Sequence, residues 1–144
     1  MYVSTVNYWA VLVSALVFFG IGMPWYTVLF GEAWKKSMGL TEERLEAEKG
    51  EENMVKSFGL MFLSALLMAL ATAHLIDYLF MVFPGSSPLS MGLTTAFWVW
   101  LGYTMSYLLT APAFEKRPWS YVMINGGYWL LGLVTTGLIV SFWR

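Results

Sequence analysis

Four long stretches of the chain contain no Asp, Glu, Lys or Arg, and no other feature constrains its fold as strongly. They cover residues 1–31, 57–76, 78–114 and 118–143. A membrane-spanning helix needs about 20 apolar residues to cross a hydrocarbon core roughly 30 Å thick. A charge at mid-bilayer costs about 2.5–3.5 kcal/mol on insertion scales. The pattern therefore predicts an all-α, polytopic membrane protein with the lipid bilayer as its solvent.

The composition supports a membrane protein and excludes several other classes. Hydrophobic residues make up 58% of the chain and charged residues 12%, whereas soluble domains carry about 25% charged residues. The net charge of −1 offers no electrostatic footprint for nucleic acid. The absence of cysteine excludes disulfides and thiolate metal sites. A length of 144 residues predicts one transmembrane domain over 1–144.

We expect four transmembrane helices packed as an antiparallel bundle, at about 5–30, 54–82, 89–112 and 119–142. The turn between the second and third is marked by Pro84, Gly85 and Pro88, which favour a tight hairpin. Pro24 lies inside the first helix. Because proline removes one backbone hydrogen bond and clashes with the preceding turn, a kink is expected near that residue.

The positions of the basic residues predict how the bundle is oriented. Seven of the eight Lys and Arg residues fall in the segments after the first and third helices or, for Lys56, in the first turn of the second, and Arg144 is the exception. Basic residues concentrate on the cytoplasmic side of a membrane. The segment 31–53 is therefore expected to be a cytoplasmic loop. Both termini are expected outside the cytoplasm.

Small residues mark the faces where helices are expected to approach each other closely. Ala65, Ala69 and Ala73 recur every four residues on the second helix, and the last helix carries Gly127 and Gly132. Such rows let helix backbones come together in lipid. The pattern fits packing within one chain, a homo-oligomer or a larger membrane complex.

His74 and Asp77 are the ionisable side chains expected within the membrane, and such groups are candidates for function. They lie three residues apart on one helix face. Counted from Lys56, they lie about 27 and 31 Å along the helix, near the outer surface. Two interpretations remain: an anchor at the interface, or part of a proton or ion path. One His and one Asp supply too few ligands for a metal, so no metal and no cofactor is expected.

Aromatic and polar residues converge on the expected cytoplasmic half of the bundle. Asn125 lies about 12 Å from Arg117 along the last helix, deep enough to require a partner such as a Tyr hydroxyl or a backbone carbonyl. The group either packs helices together or lines a pocket for an aromatic or lipid-like ligand. It comprises Trp25, Tyr26, Trp34, Tyr103, Tyr107, Glu115, Arg117, Trp119, Asn125 and Tyr128.

Several short strings, taken in order along the chain, resemble a known family. They include Asn7-Tyr8-Trp9, Trp25-Tyr26, Phe114-Glu115-Lys116-Arg117-Pro118-Trp119 and Ile124-Asn125-Gly126-Gly127-Tyr128. Together they are similar to the domain of unknown function 1761 family of small, mostly bacterial, four-helix membrane proteins. The similarity covers nearly the whole chain. It implies a bacterial inner-membrane protein and no established activity.

No set of nucleophile, base and orienting group is visible in the sequence, and no phosphate-binding glycine loop follows a strand. We therefore expect a non-enzymatic binding or structural module, acting as an accessory subunit or a homo-oligomer. The alternative is an oligomeric transporter or channel for a small solute or ion. In that alternative His74, Asp77, Glu115 and Asn125 would mark a polar route.

Overall fold

The computed structural model describes residues 4–48 and 54–144, and all of the regular structure in these residues is helical. Two segments, Trp25–Leu29 and Trp100–Met105, are wound as π-helix. The α-helices are α1 Tyr8–Pro24, α2 Gly31–Met38, α3 Glu42–Glu48, α4 Met54–Val82, α5 Pro88–Val99, α6 Ser106–Leu108, α7 Thr110–Phe114 and α8 Trp119–Phe142. The fold class is therefore all-α.

Three helices of the described residues are long and apolar enough to cross a membrane. They are Tyr8–Leu29, Val55–Val82 and Trp119–Phe142, which correspond to the first, second and fourth of the expected spans. The third expected span, at about 89–112, is not one uninterrupted α-helix. It consists of α5, the second π segment, α6 and α7, with Leu109 between the last two.

The loop expected over 31–53 contains two short helices where it is described. Thr41 precedes α3, and its hydroxyl accepts a hydrogen bond from the Arg44 N–H at 3.3 Å, so Thr41 caps the N-terminus of this helix. Gly39 ends α2 with a φ of 69°, a left-handed conformation that glycine adopts without strain. Residues 49–53, which the sequence places in the same loop, lie outside the described residues.

Helix α8 lies at the centre of the packing and contacts α1, α4 and α5. In the most apolar stretch of each span, 44% of the residues of α8 are buried. The corresponding share is 28% in the span that begins with α1 and 28% in the span of α4. Large apolar side chains such as Val28, Leu67 and Phe97 stay exposed. The uncovered surface of these helices is therefore apolar, which suits contact with lipid rather than water.

Small residues allow the closest contacts between helices. A Cβ added to Gly137 would lie 2.6 Å from the Gly92 carbonyl oxygen, and one added to Gly92 would lie 2.7 Å from the Gly137 oxygen. The backbones of α5 and α8 therefore touch at this point. The expected row of Ala65, Ala69 and Ala73 is buried inside the chain, and these residues join the apolar core with residues of α1 and α8.

Candidate functional site

Two tryptophans from different parts of the chain donate hydrogen bonds to carbonyls two residues apart on α8. The indole N–H of Trp25 donates to the Ile124 carbonyl at 3.0 Å, and that of Trp100 donates to the Gly126 carbonyl at 2.8 Å. Each carbonyl of a helix has a second lone pair that such a donor can use. The two indoles thus tie α8 to the π segments that follow α1 and α5.

Asn125 lies between these two contacts and links α8 to the end of the first span. The Tyr26 hydroxyl donates to Asn125 Oδ1 at 2.7 Å, and Asn125 Nδ2 donates to the Tyr121 carbonyl at 2.8 Å. Both types of partner that the sequence suggested for this amide are present. This amide is tolerated in an apolar helix because its oxygen accepts one hydrogen bond and its nitrogen donates another.

Tyr128 connects this hydrogen-bonded group to the apolar core. Its ring is buried and stacks on Phe18 with a centroid distance of 4.5 Å, and its hydroxyl donates to the Phe18 carbonyl at 3.1 Å. The Tyr26 ring lies edge-on to Tyr128 at 5.0 Å and to Trp34 at 5.5 Å. Ring pairs of this geometry stabilise a fixed arrangement. Trp25, Tyr26, Trp34, Asn125 and Tyr128 therefore form one packed group, called here the aromatic cluster.

An open-sided groove with a volume of about 680 Å³ runs beside the aromatic cluster and is called here the main groove. Its volume falls within the usual range of small-molecule sites. Apolar side chains and two glycines line most of it, with polar groups at Tyr26, Thr27, Trp34 and Asn125. The complete lining is Phe19, Gly20, Gly22, Met23, Tyr26, Thr27, Trp34, Phe58, Met61 and Asn125.

Two glycines of α1 line the main groove, and they differ in what an added side chain would contact. At Gly22 an added Cβ would lie 2.9 Å from the Tyr128 hydroxyl, so this glycine is required by packing. At Gly20 an added Cβ would meet nothing within 4 Å. A Cβ at Gly20 would therefore lie in open space beside the groove, without touching a neighbouring helix.

Arg117 holds the short helix that contributes Trp34 to the groove. Its Nη1 donates to the Met38 carbonyl at the end of α2, at 3.2 Å, and its Nε lies 3.7 Å from Glu115 Oε2. A cation at a helix C-terminus also interacts favourably with the helix dipole. Arg117 and Glu115, both among the expected site residues, thus position α2 and do not line the main groove.

Three further expected site residues do not join the aromatic cluster. Tyr103, Tyr107 and Trp119 are 77%, 71% and 64% exposed. Tyr103 and Tyr107 instead line a second groove of about 390 Å³, together with Thr104, Leu108, Tyr121, Asn125 and Trp129. These two tyrosines therefore lie beside Asn125 along an open groove and outside the packed aromatic cluster.

His74 and Asp77 lie at the opposite end of the bundle, beside the segment before α1. Asp77 is buried at 5% exposure and accepts hydrogen bonds from the N–H and the hydroxyl of Thr5. His74 Nδ1 lies 3.5 Å from the Ser4 hydroxyl, and its ring lies edge-on to Tyr8 at 6.2 Å. The pair therefore fastens the beginning of the chain to the end of α4.

The glycines predicted on α8 as packing residues both face aromatic rings of the first span. An added Cβ would lie 3.0 Å from the Trp25 ring at Gly127 and 2.2 Å from the Phe18 ring at Gly132. These contacts lie within one chain. Among residues 4–48 and 54–144, no group of three or more His, Asp or Glu side chains is arranged to hold a metal ion.

The family model described as "Protein of unknown function (DUF1761)" matches residues 9–141, which is nearly the whole chain. The chain belongs to the DUF1761 family. No curated protein and no solved structure matches it. The match includes every residue of the aromatic cluster. The string from Ile124 to Tyr128, which carries the resemblance, is also the part of α8 that forms hydrogen bonds with the first span and with Trp100.

Proposed function

We propose that this DUF1761 protein is a non-enzymatic, multi-pass membrane protein that binds a lipid-like molecule in the main groove. It would act as a binding or accessory module in a bacterial inner membrane. The main groove carries the proposal because it combines a long apolar lining with a small polar end. That combination matches a molecule with an apolar tail and one hydrogen-bonding group.

The proposed topology has four antiparallel spans, with the path from Pro88 to Phe114 as the third. Residues 78–114 carry no charge, and a helical path of 27 residues with few breaks is long enough to cross a bilayer of roughly 30 Å. The first span would bend at Pro24, where the α-helix gives way to a π segment. The positive-inside rule then places the aromatic cluster near the cytoplasm and both termini outside.

The distribution of polar side chains favours binding over transport. Asp77 bonds to Thr5, before α1 begins, whereas Asn125 bonds to Tyr26, after α1 ends. The length of α1, about 26 Å, separates the two. Buried apolar residues such as Phe18 and Leu133 fill the space between helices. A polar route linking both ends of one subunit would have to pass through this core.

A groove-filling substitution tests the proposal. Gly20→Phe should abolish retention of bound lipid, because the new ring occupies the main groove and the helix contacts are unaffected. Native mass spectrometry of protein extracted in a mild detergent would count the lipid adducts. The wild type should carry at least one adduct of defined mass, and Gly20→Phe should lose it.

Gly59→Phe is the matched control. An added Cβ at Gly59 also meets nothing within 4 Å, and Gly59 points about 100° away from the groove residue Phe58 around α4. This variant should retain the wild-type adduct. Equal adduct levels in the wild type and both variants would refute binding in the main groove.

A further inference from the structure

We propose that the main groove recognises a neutral lipid by a carbonyl oxygen, which receives hydrogen bonds from Asn125 and Trp34. This inference rests on the proposed function and names the chemical class of its ligand. It covers ring carbonyls, as in quinones, and ester carbonyls, as in glycerides. It excludes lipids whose phosphate would have to enter the groove.

The hydrogen bonds within the cluster show which groups remain for a ligand. Tyr26 uses its only proton on Asn125 Oδ1, so its oxygen can only accept a further bond. Asn125 uses one of its two amide protons on the Tyr121 carbonyl and keeps the other. Trp34 also lines the groove, and within the described residues its indole N–H forms no hydrogen bond.

The N–H groups left for a ligand in the main groove are therefore one of Asn125 and one of Trp34, since both residues line it. Against an apolar lining, an N–H group without an acceptor costs free energy. A carbonyl oxygen has two lone pairs and can accept from both donors at once. An ether oxygen is a weaker acceptor and is shielded by its two alkyl substituents. The donor pair thus selects a carbonyl over an ether of the same size.

The charge and depth of the site point to a neutral ligand. None of the ten residues that line the main groove is charged. An anionic phosphate drawn into this lining would lose its hydration without gaining a cation. Asn125 lies about 9 Å along α8 from Trp119, the first residue of that helix. A group bound to Asn125 therefore lies deeper than the phosphates of the surrounding lipids.

Isothermal titration calorimetry of the detergent-solubilised protein would test the inference with matched probes. 1,2-Dioctanoylglycerol should bind about tenfold more tightly than 1,2-di-O-octylglycerol, which has ethers in place of esters. It should also bind at least tenfold more tightly than dioctanoyl phosphatidic acid, which adds only the phosphate. Decylubiquinone distinguishes a ring carbonyl from an ester carbonyl. If it binds more tightly than dioctanoylglycerol, the ligand is recognised by a ring carbonyl. If dioctanoylglycerol binds more tightly, the ligand is recognised by an ester carbonyl.

Trp34→Phe keeps an aromatic ring at the groove and removes one donor, so it should weaken binding of the preferred carbonyl probe about fivefold. The control Trp98→Phe, at an exposed position outside the main groove, should leave the affinity unchanged. Equal affinity for ester and ether, or for neutral and anionic probes, would overturn the inference while the groove remains a lipid site. If no probe binds and Gly20→Phe retains the native adduct, the proposed function itself fails.

Discussion

Replacing Gly137 by alanine should destabilise the protein by about 2 kcal/mol, because the added methyl group separates α5 from α8. The new Cβ would lie 2.6 Å from the Gly92 carbonyl oxygen, far inside van der Waals contact. The atom in its way belongs to the backbone, so no side-chain rotation can relieve the overlap. The two helices must move apart, and the packing between them is lost along with this contact.

Unfolding followed by circular dichroism in detergent measures this effect. Gly59→Ala is the matched control, since it adds the same methyl group to open space on α4. Alanine is also the better helix former by about 1 kcal/mol, so the control should be as stable as the wild type or more so. Equal stability of Gly137→Ala and Gly59→Ala would show that α5 and α8 do not touch here.

Trp25→Ala should cost roughly 3 kcal/mol of stability, near the low end for a large aromatic residue because Trp25 is only half-buried. The indole donates to the Ile124 carbonyl and its ring packs against the Gly127 backbone. It also contacts the Phe30 ring at a centroid distance of 4.7 Å. Removing it should loosen the connection between the first span and α8.

One further variant separates the hydrogen bond of Trp25 from its packing, and a second, at Trp98, serves as a control. Trp25→Phe keeps most of the ring and loses the hydrogen bond, so it should cost about 1 kcal/mol, the usual value for such a bond between membrane helices. Trp98 is 63% exposed, and Trp98→Ala should change the stability by less than about 0.5 kcal/mol. The same denaturation experiment applies. A loss at Trp98 as large as that at Trp25 would contradict the role of the indole in holding α8.

Much of the architecture follows from the sequence because charge is so costly in lipid. The uncharged stretches predicted helices that the structure places over Tyr8–Leu29, Val55–Val82 and Trp119–Phe142. The turn at Pro84 and Gly85 also lies where local residue preferences place it, with Ser87 accepting a hydrogen bond from the Ser90 N–H at the start of α5. These features depend on local composition, which a sequence displays directly.

The orientation of side chains around each helix could not be predicted in the same way. The spans are apolar on every face, so hydrophobic periodicity does not show which side packs inward. For this reason the sequence left open whether Tyr103 and Tyr107 pack helices together or line a pocket. The structure exposes both rings and places them along a groove that Asn125 also lines. The bond from Trp100 to the Gly126 carbonyl was not predicted, because it depends on the π segment that turns this indole toward α8.

The amide of Asn125 was the part of the site that sequence reasoning located best. A polar group so far inside an apolar helix requires a partner, and the available partners were few. The open space at Gly20 carries no such signal, since a glycine in a membrane helix usually indicates close packing. Only the three-dimensional arrangement distinguishes Gly20, which borders a groove, from Gly132, which faces a ring.

We propose that the path from Pro88 to Phe114 crosses the membrane as a further span and sets the aromatic cluster on the cytoplasmic side. The chain contains no cysteine, so Gly85→Cys and Glu115→Cys each introduce a unique thiol at one end of this path. In right-side-out vesicles, a membrane-impermeant maleimide should label Gly85→Cys directly and Glu115→Cys only after permeabilisation. Labelling of both thiols from the same side would contradict the account, because residues 88–114 would then not cross the membrane.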